Sequence, residues 1–249
     1  MAVIFGTQGR DTLPGTNQDD VIRGWAEDGD PRTDLGDELR GFDGKDRLFG
    51  GGGGDTLDGG DGYDSIEGGN GADEIDGGDD DDSIEGGDQD DTLDGGDGRD
   101  FVDGGDGDDS IEGKAGYDVL SGEAGDDSVE GGDGRDVLAG GDGDDVLSGG
   151  AGDDLLGGEA GRDRLNGGGG RDRFEFSRND DRDTIVDFKD DADTIVLNGA
   201  RLGVTSKADA LSRATEVDGN TVFTFNTGDV LIVENIADPS LLRDDLDIL

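Results

Sequence analysis

Residues 131–150 read GGDGRDVLAGGDGDDVLSGG, nearly the same nine residues written twice. Working outward, the phrase recurs fifteen times without a gap from Gly41 to Glu175. Its first position is glycine in all fifteen units. Its sixth is aspartate in all fifteen: Asp46, Asp55, Asp64, Asp73, Asp82, Asp91, Asp100, Asp109, Asp118, Asp127, Asp136, Asp145, Asp154, Asp163 and Asp172. The eighth is always large and apolar, from Leu48 through Ile84 and Val102 to Phe174. The fourth is glycine in thirteen units, with Asp80 and Gln89 as the departures. Two further units, 6–14 and 15–23, precede the array. Residues 24–40 look like one more unit with eight extra residues, still ending in Asp37-Glu38-Leu39. Asp11, Asp20 and Asp37 then stand at the sixth position of these irregular units.

Composition sets the bounds. The chain has 249 residues, of which 29% are hydrophobic and 53 are glycine; 67 acidic against 20 basic residues give a net charge of -47. A polypeptide with so little apolar surface and so much self-repulsion stays disordered unless something offsets both. The acidic surface repels nucleic acid and anionic lipid and attracts cations. With no cysteine and no histidine, disulfides, thiolate metal sites and the commonest general base are excluded. The opening MAVIFGTQGR has a short apolar run and no basic region before it, so it does not read as a signal peptide. No run approaches the ~18 apolar residues of a membrane helix.

The pattern G-G-x-G-x-D-x-U-x, over roughly residues 6–175, resembles the nonapeptide repeat of the RTX (repeats-in-toxin) family. The resemblance implies an all-β protein: a right-handed parallel β-roll, a solenoid of nonapeptide repeats, closed by a C-terminal β-rich cap. It implies Ca²⁺ as the cofactor, about a dozen ions. Each would be held between turns eighteen residues apart by backbone carbonyls and the sixth-position aspartates of both turns. That pairs Asp46 with Asp64 and so on to Asp154 with Asp172, thirteen pairs. It also implies export by type I secretion machinery and an extracellular, bacterial location. The domain boundaries expected are 1–40 for the irregular units, 41–175 for the array, and 176–249 for the cap and secretion signal.

The residues agree with that expectation. Glycine and aspartate in the first six positions favour a turn, and the last three, such as Val137-Leu138-Ala139, favour a short strand. Alternation along a strand points position eight inward and positions seven and nine outward. Two units then make one eighteen-residue coil, and odd and even units lie on opposite sheets. One aliphatic side chain per nine residues cannot offset the ordering of nine backbones, so the turns need a ligand. A hard cation taking 6–8 oxygens suits turns that offer carbonyls and carboxylates. Asp80 and Gln89 stand where glycine is expected, so weaker sites are expected in their turns.

On one outward face Phe101, Val119, Val137 and Leu155 recur every eighteen residues. They should stack into an exposed apolar ladder, covered by the C-terminal segment or by a second copy of the chain. The other face carries Asp58, Glu74, Asp76, Asp94, Glu112 and Glu130, an acidic stripe.

Beyond Glu175 the period stops. FEFSRNDDRDTIVDFKDDADTIVLNG (174–199) resembles the segment that closes RTX arrays, including that of the serralysin proteases. Asp183, Asp187 and Asp193 there could hold a last ion or serve plain turns. A helix over 206–214 capped by Ser206, a turn at 218–220 and strands 222–225 and 230–233 are expected. The terminal DDLDIL (244–249) resembles the type I secretion signal of the family, with an amphipathic cap helix over 240–249 as the alternative.

Enzyme signatures are missing. There is no HExxH, no GxSxG, no phosphate-binding loop and no complete EF-hand loop. The expectation is a non-enzyme: a secreted calcium-binding protein, a non-catalytic module of a larger secreted enzyme, or a calcium-dependent adhesive or surface-layer protein.

Overall fold

The computed structural model describes residues 1–7, 9–25 and 35–249. The chain is a parallel β-solenoid in which odd and even units build two sheets, of twelve and fourteen strands. Within the array every strand pairs with the strand eighteen residues on, as in Ile84 opposite Val102 and Val102 opposite Leu120. The register keeps like positions together. Position eight of one sheet therefore forms a continuous row, Ile66, Ile84, Val102, Leu120, Leu138, Leu156 and Phe174, each no more than 2% exposed.

The strands are longer than the three residues expected. Arg47–Gly52 and Thr56–Asp61 run from position seven of one unit to position three of the next. Alternation explains this. Position eight faces in, position nine out, and the first-position glycine faces in again, as the burial of Gly50 and Gly59 shows. The absence of a side chain on that glycine lets the strand continue where the coil bends.

The same sheets extend beyond both ends of the array. Val3–Phe5, Thr12–Pro14 and Val21–Arg23 are the first rungs. Thr12 pairs with Glu38 and Val21 with Arg47, twenty-six residues apart, so the ladder runs on unbroken across the insertion. Most of the insertion (26–34) lies outside the described residues. At the other end Arg182–Ile185, Thr194–Leu197 and Val230–Val233 continue the sheets.

The turns require positive φ at positions two and four. Glycine supplies it at most sites, for example Gly60 (φ 100) and Gly62 (φ 137). Asp80 (φ 80) and Gln89 (φ 82) also take positive φ, at a smaller angle, so those turns hold a side chain under backbone strain.

The cap is built differently. Phe174 meets Phe188 at 6.2 Å, Phe176 meets Phe225 at 5.4 Å, and Phe223 stacks on Phe225 at 6.3 Å between ring centroids. The expected helix is shorter, Lys207–Leu211, with the Ser206 hydroxyl accepting from the Asp209 N–H as foreseen. Ala214–Val217 forms a strand instead and pairs antiparallel with Asn220–Thr224. Asp218 (φ 53) and Gly219 (φ 88) make the two-residue turn between them. A cap helix over 240–249 is not found. Pro239–Arg243 is a 3₁₀ turn, and Leu246–Ile248 is a strand pairing in parallel with Ile195–Leu197. Proline at the start of that segment and the open sheet edge at Thr194–Leu197 account for the difference.

The ladder Phe101–Val119–Val137–Leu155 exists in register. The C-terminal segment does not cover it, because its strands extend the sheet lengthwise beyond Arg173. Phe101 is 52% exposed and the other three are half-buried. The acidic stripe also forms as expected, and Lys114 bridges Asp94 at 3.3 Å and Glu112 at 2.6 Å within it. Among the described residues no helix is long and apolar enough to cross a membrane.

Candidate metal centre

All fifteen sixth-position aspartates are buried, none more than 4% exposed. Each lies at the mouth of a strand, one residue before the pairing begins. Its Oδ1 accepts the backbone N–H of the aspartate one coil earlier. Asp64 accepts from Asp46 at 2.7 Å, Asp118 from Asp100 at 2.9 Å and Asp172 from Asp154 at 3.2 Å. Thirteen such bonds join the pairs expected, and they form two lanes along the rod.

The other oxygen decides the chemistry. In Asp46, and in every sixth-position aspartate from Asp64 to Asp172, Oδ2 is buried without a hydrogen-bond partner. It is directed at the first-position glycine of its own unit, beside a carbonyl of the next coil. A Cβ on Gly59 would come within 2.6 Å of Asp64 Oδ2 and 2.5 Å of the Gly77 carbonyl oxygen; one on Gly131 would meet Asp136 Oδ2 at 2.7 Å and the Gly149 carbonyl at 2.6 Å. The polar lining of this nook is carboxylate and carbonyl oxygen, brought close where the glycine has no side chain. A buried carboxylate oxygen with no donor is costly unless a cation meets it. Carboxylate and carbonyl oxygens with no nitrogen or sulfur suit a hard divalent ion. The residues present therefore fit calcium.

Electrostatics point the same way. Burial pushes the Asp82 carboxyl up to about 8 and those of Asp91, Asp118 and Asp145 up to about 7. The backbone N–H on each Oδ1 opposes that shift, and like charges in the neighbouring coils add to it.

The profile of the RTX calcium-binding nonapeptide repeat matches residues 3–28 and, in overlapping copies, 36–183. The chain belongs to the RTX calcium-binding repeat family. No curated protein matches it. Among solved structures, the AlgE6R3 subunit of the mannuronan C5-epimerase of Azotobacter vinelandii is similar at 25% identity and a TM-score of 0.36, over 56% of this chain and 78% of that one. The extracellular lipase LipA of Serratia marcescens is similar at 18% identity and a TM-score of 0.41, over 96% of this chain. This chain spans 40% of the lipase's length.

Outside the fifteen RTX units the aspartates divide. Asp37 continues a lane, its Oδ1 accepting from the Asp11 N–H at 2.6 Å and its own N–H donating to Asp55. Asp183 continues the other end, accepting from the Asp163 N–H at 3.2 Å with its Oδ2 buried and unpartnered. Asp11 and Asp20 differ, because Thr7 and Thr16 replace the second glycine. Each threonine donates its N–H and its hydroxyl to Oδ2, at 2.6 and 2.9 Å for Asp11 and at 2.7 Å twice for Asp20. Asp187 spends both oxygens on the Gly167 and Gly168 N–H groups at 2.9 Å. Asp193 accepts from Asp172 at 3.0 Å and Lys189 at 2.8 Å. Asp180 and Asp229, buried at the cap, were not picked out by the period. Neither sits at a ninth-residue step, and only the chain reversal at 225–230 brings them together.

Proposed function

We propose that this RTX chain is a secreted calcium-dependent protein whose roll folds on binding about a dozen Ca²⁺ after export by type I machinery. The observation that carries it is the row of buried Oδ2 atoms without donors, most of them beside a carbonyl oxygen of the next coil. The sixth-position aspartates and the glycine-turn carbonyls would hold the ions, and Asp37 and Asp183 extend the lanes. Asp11, Asp20 and Asp187 rank behind them, since their oxygens already have donors. Bound calcium neutralises the carboxylates and replaces the missing hydrogen bonds, so binding and folding become one event. The terminal DDLDIL serves as the secretion signal, and the protein works outside a bacterial cell. Far-UV circular dichroism during a calcium titration, with magnesium as control, tests this. A cooperative coil-to-β conversion for calcium alone supports it. A β spectrum complete in chelator overturns it.

The uncovered ladder favours one addition. Two copies would meet through Phe101, Val119, Val137 and Leu155 in an adhesive or surface role. Light scattering in calcium should show a dimer that Val119→Asp dissociates; a monomer for both proteins removes this reading.

A further inference from the structure

The array gives a criterion for a cation site: a buried carboxylate with one oxygen on a neighbouring backbone N–H and the other left without a donor. Among the described residues the same arrangement occurs once outside the repeats and the lanes that continue them. Asp229, 5% exposed, accepts the Asn179 N–H on Oδ1 at 3.2 Å, and its Oδ2 is buried with no partner. Asp180, 7% exposed, lies in the loop that Asn179 belongs to, and its Oδ2 accepts the Ser177 N–H. The Ser177 hydroxyl and the Asp183 Oδ2 are also buried without partners. The Val230 N–H donates to the Asp181 carbonyl at 2.8 Å, so the hairpin strand that begins after Asp229 is fastened to this same loop.

We propose that Asp180 and Asp229, with the Ser177 hydroxyl, form a calcium site that joins the cap hairpin to the end of the roll. Every donor is oxygen, which selects a hard cation. Neither Asp180 nor Asp229 takes part in an ion pair among the described residues. Two buried carboxylates without a counter-charge repel each other, and a divalent ion removes both the repulsion and the orphaned oxygens. Burial, and then the charges of Asp229, Asp163 and Glu159, push the Asp180 carboxyl up to about 7 against the Ser177 hydrogen bond. Asp180 and Ser177 also line an open groove of about 440 Å³, which gives an ion a way in. The role follows from the topology. Val230–Val233 joins the roll's sheet by pairing with Arg182–Ile185, and Asn220–Thr224 pairs with Val230–Val233 in turn. An ion held at the mouth of that pairing makes closure of the cap depend on calcium, separately from the repeats. The inference rests on the calcium reading above only for the identity of the ion.

The test uses the full chain in calcium. Anomalous difference density from crystals should show a peak with Asp180 and Asp229 oxygens at about 2.3–2.6 Å, lost in Asp229→Asn while the array peaks remain. The asparagine keeps the oxygen that accepts from Asn179, so a purely structural role predicts no loss. In solution, amide exchange of residues 220–233 should lose calcium-dependent protection on the order of tenfold in Asp229→Asn. Should that variant fail to fold, Asp180→Asn carries the same measurement. Full array peaks with none between Asp180 and Asp229, or unchanged hairpin protection in both variants, overturn the site. An empty array with an occupied junction would instead sink the array reading and keep this one.

Discussion

The array and the cap bury different things. Each repeat sends one aliphatic side chain and one carboxylate into the rod, as Leu138 and Asp136 do, both 1% exposed. The cap buries Phe176, Phe188, Phe223 and Phe225, four of the nine phenylalanines in the chain, against Phe174 of the last repeat. The lesson concerns what holds each region. A thin core flanked by lanes of buried carboxylates has a large opposing charge term and little apolar area, which a bound cation would offset. A stack of aromatic rings supplies its own driving force. The cap then needs calcium at one junction rather than at every turn.

Chelation should break the comparison open most widely. Calcium removal is expected to abolish amide protection across residues 59–157, the largest effect available. Hydrogen exchange by mass spectrometry checks this, and an array still protected in chelator would erase the distinction.

The next effect is in the cap. Phe176→Ala in calcium should cost about 3–5 kcal/mol in denaturant unfolding, because it removes a fully buried ring that packs on Phe225. A loss below about 1 kcal/mol would mean the rings are not what holds the cap.

Acid should partly stand in for calcium. In the unfolded chain an aspartate ionises near its ordinary 3.8, while burial keeps Asp82 protonated up to about 8 and Asp118 and Asp145 up to about 7. Between pH 4 and 8 the folded array therefore binds more protons than the unfolded chain. Its calcium-free stability falls as pH rises through that window. Circular dichroism in chelator should show β structure gained as pH is lowered from 8 toward 5. A coil spectrum throughout would show that neutralising the carboxylates is not enough without the bridging ligand.

The smallest expected effect concerns the strained turns. Gln89→Gly should stabilise the calcium form by about 1 kcal/mol by relieving a positive φ that a side chain resists. Thermal unfolding reads it, and no gain would mean the Gln89 side chain makes up for its strain.

Much of this was legible before any coordinates. A period of nine with aspartate always in one phase placed Asp46 to Asp172 together. Alternation placed Leu48 to Phe174 inside, and the eighteen-residue coil placed Phe101, Val119, Val137 and Leu155 in one row. The strands were read too short because a glycine looks like a turn residue. Only the pairing shows that the first-position glycine is an inward strand position. Asp187 and Asp193 carry the same side chain as Asp183, and sequence had no means to tell which oxygens would meet a backbone N–H.

By itself the sequence determined the repeat, the inward rows and the two lanes of carboxylate. These are periodic, and a period fixes relative position whenever each unit repeats the geometry of the last. The tertiary structure decided what has no period. It kept the ladder unbroken on either side of the insertion, made Leu246–Ile248 a strand and left the apolar ladder uncovered. It also brought Asp229 to Asp180 across fifty residues of chain. Those outcomes depend on how a non-repeating segment closes an open sheet edge, and hydrogen bonding and packing at that edge are physical facts of the folded molecule.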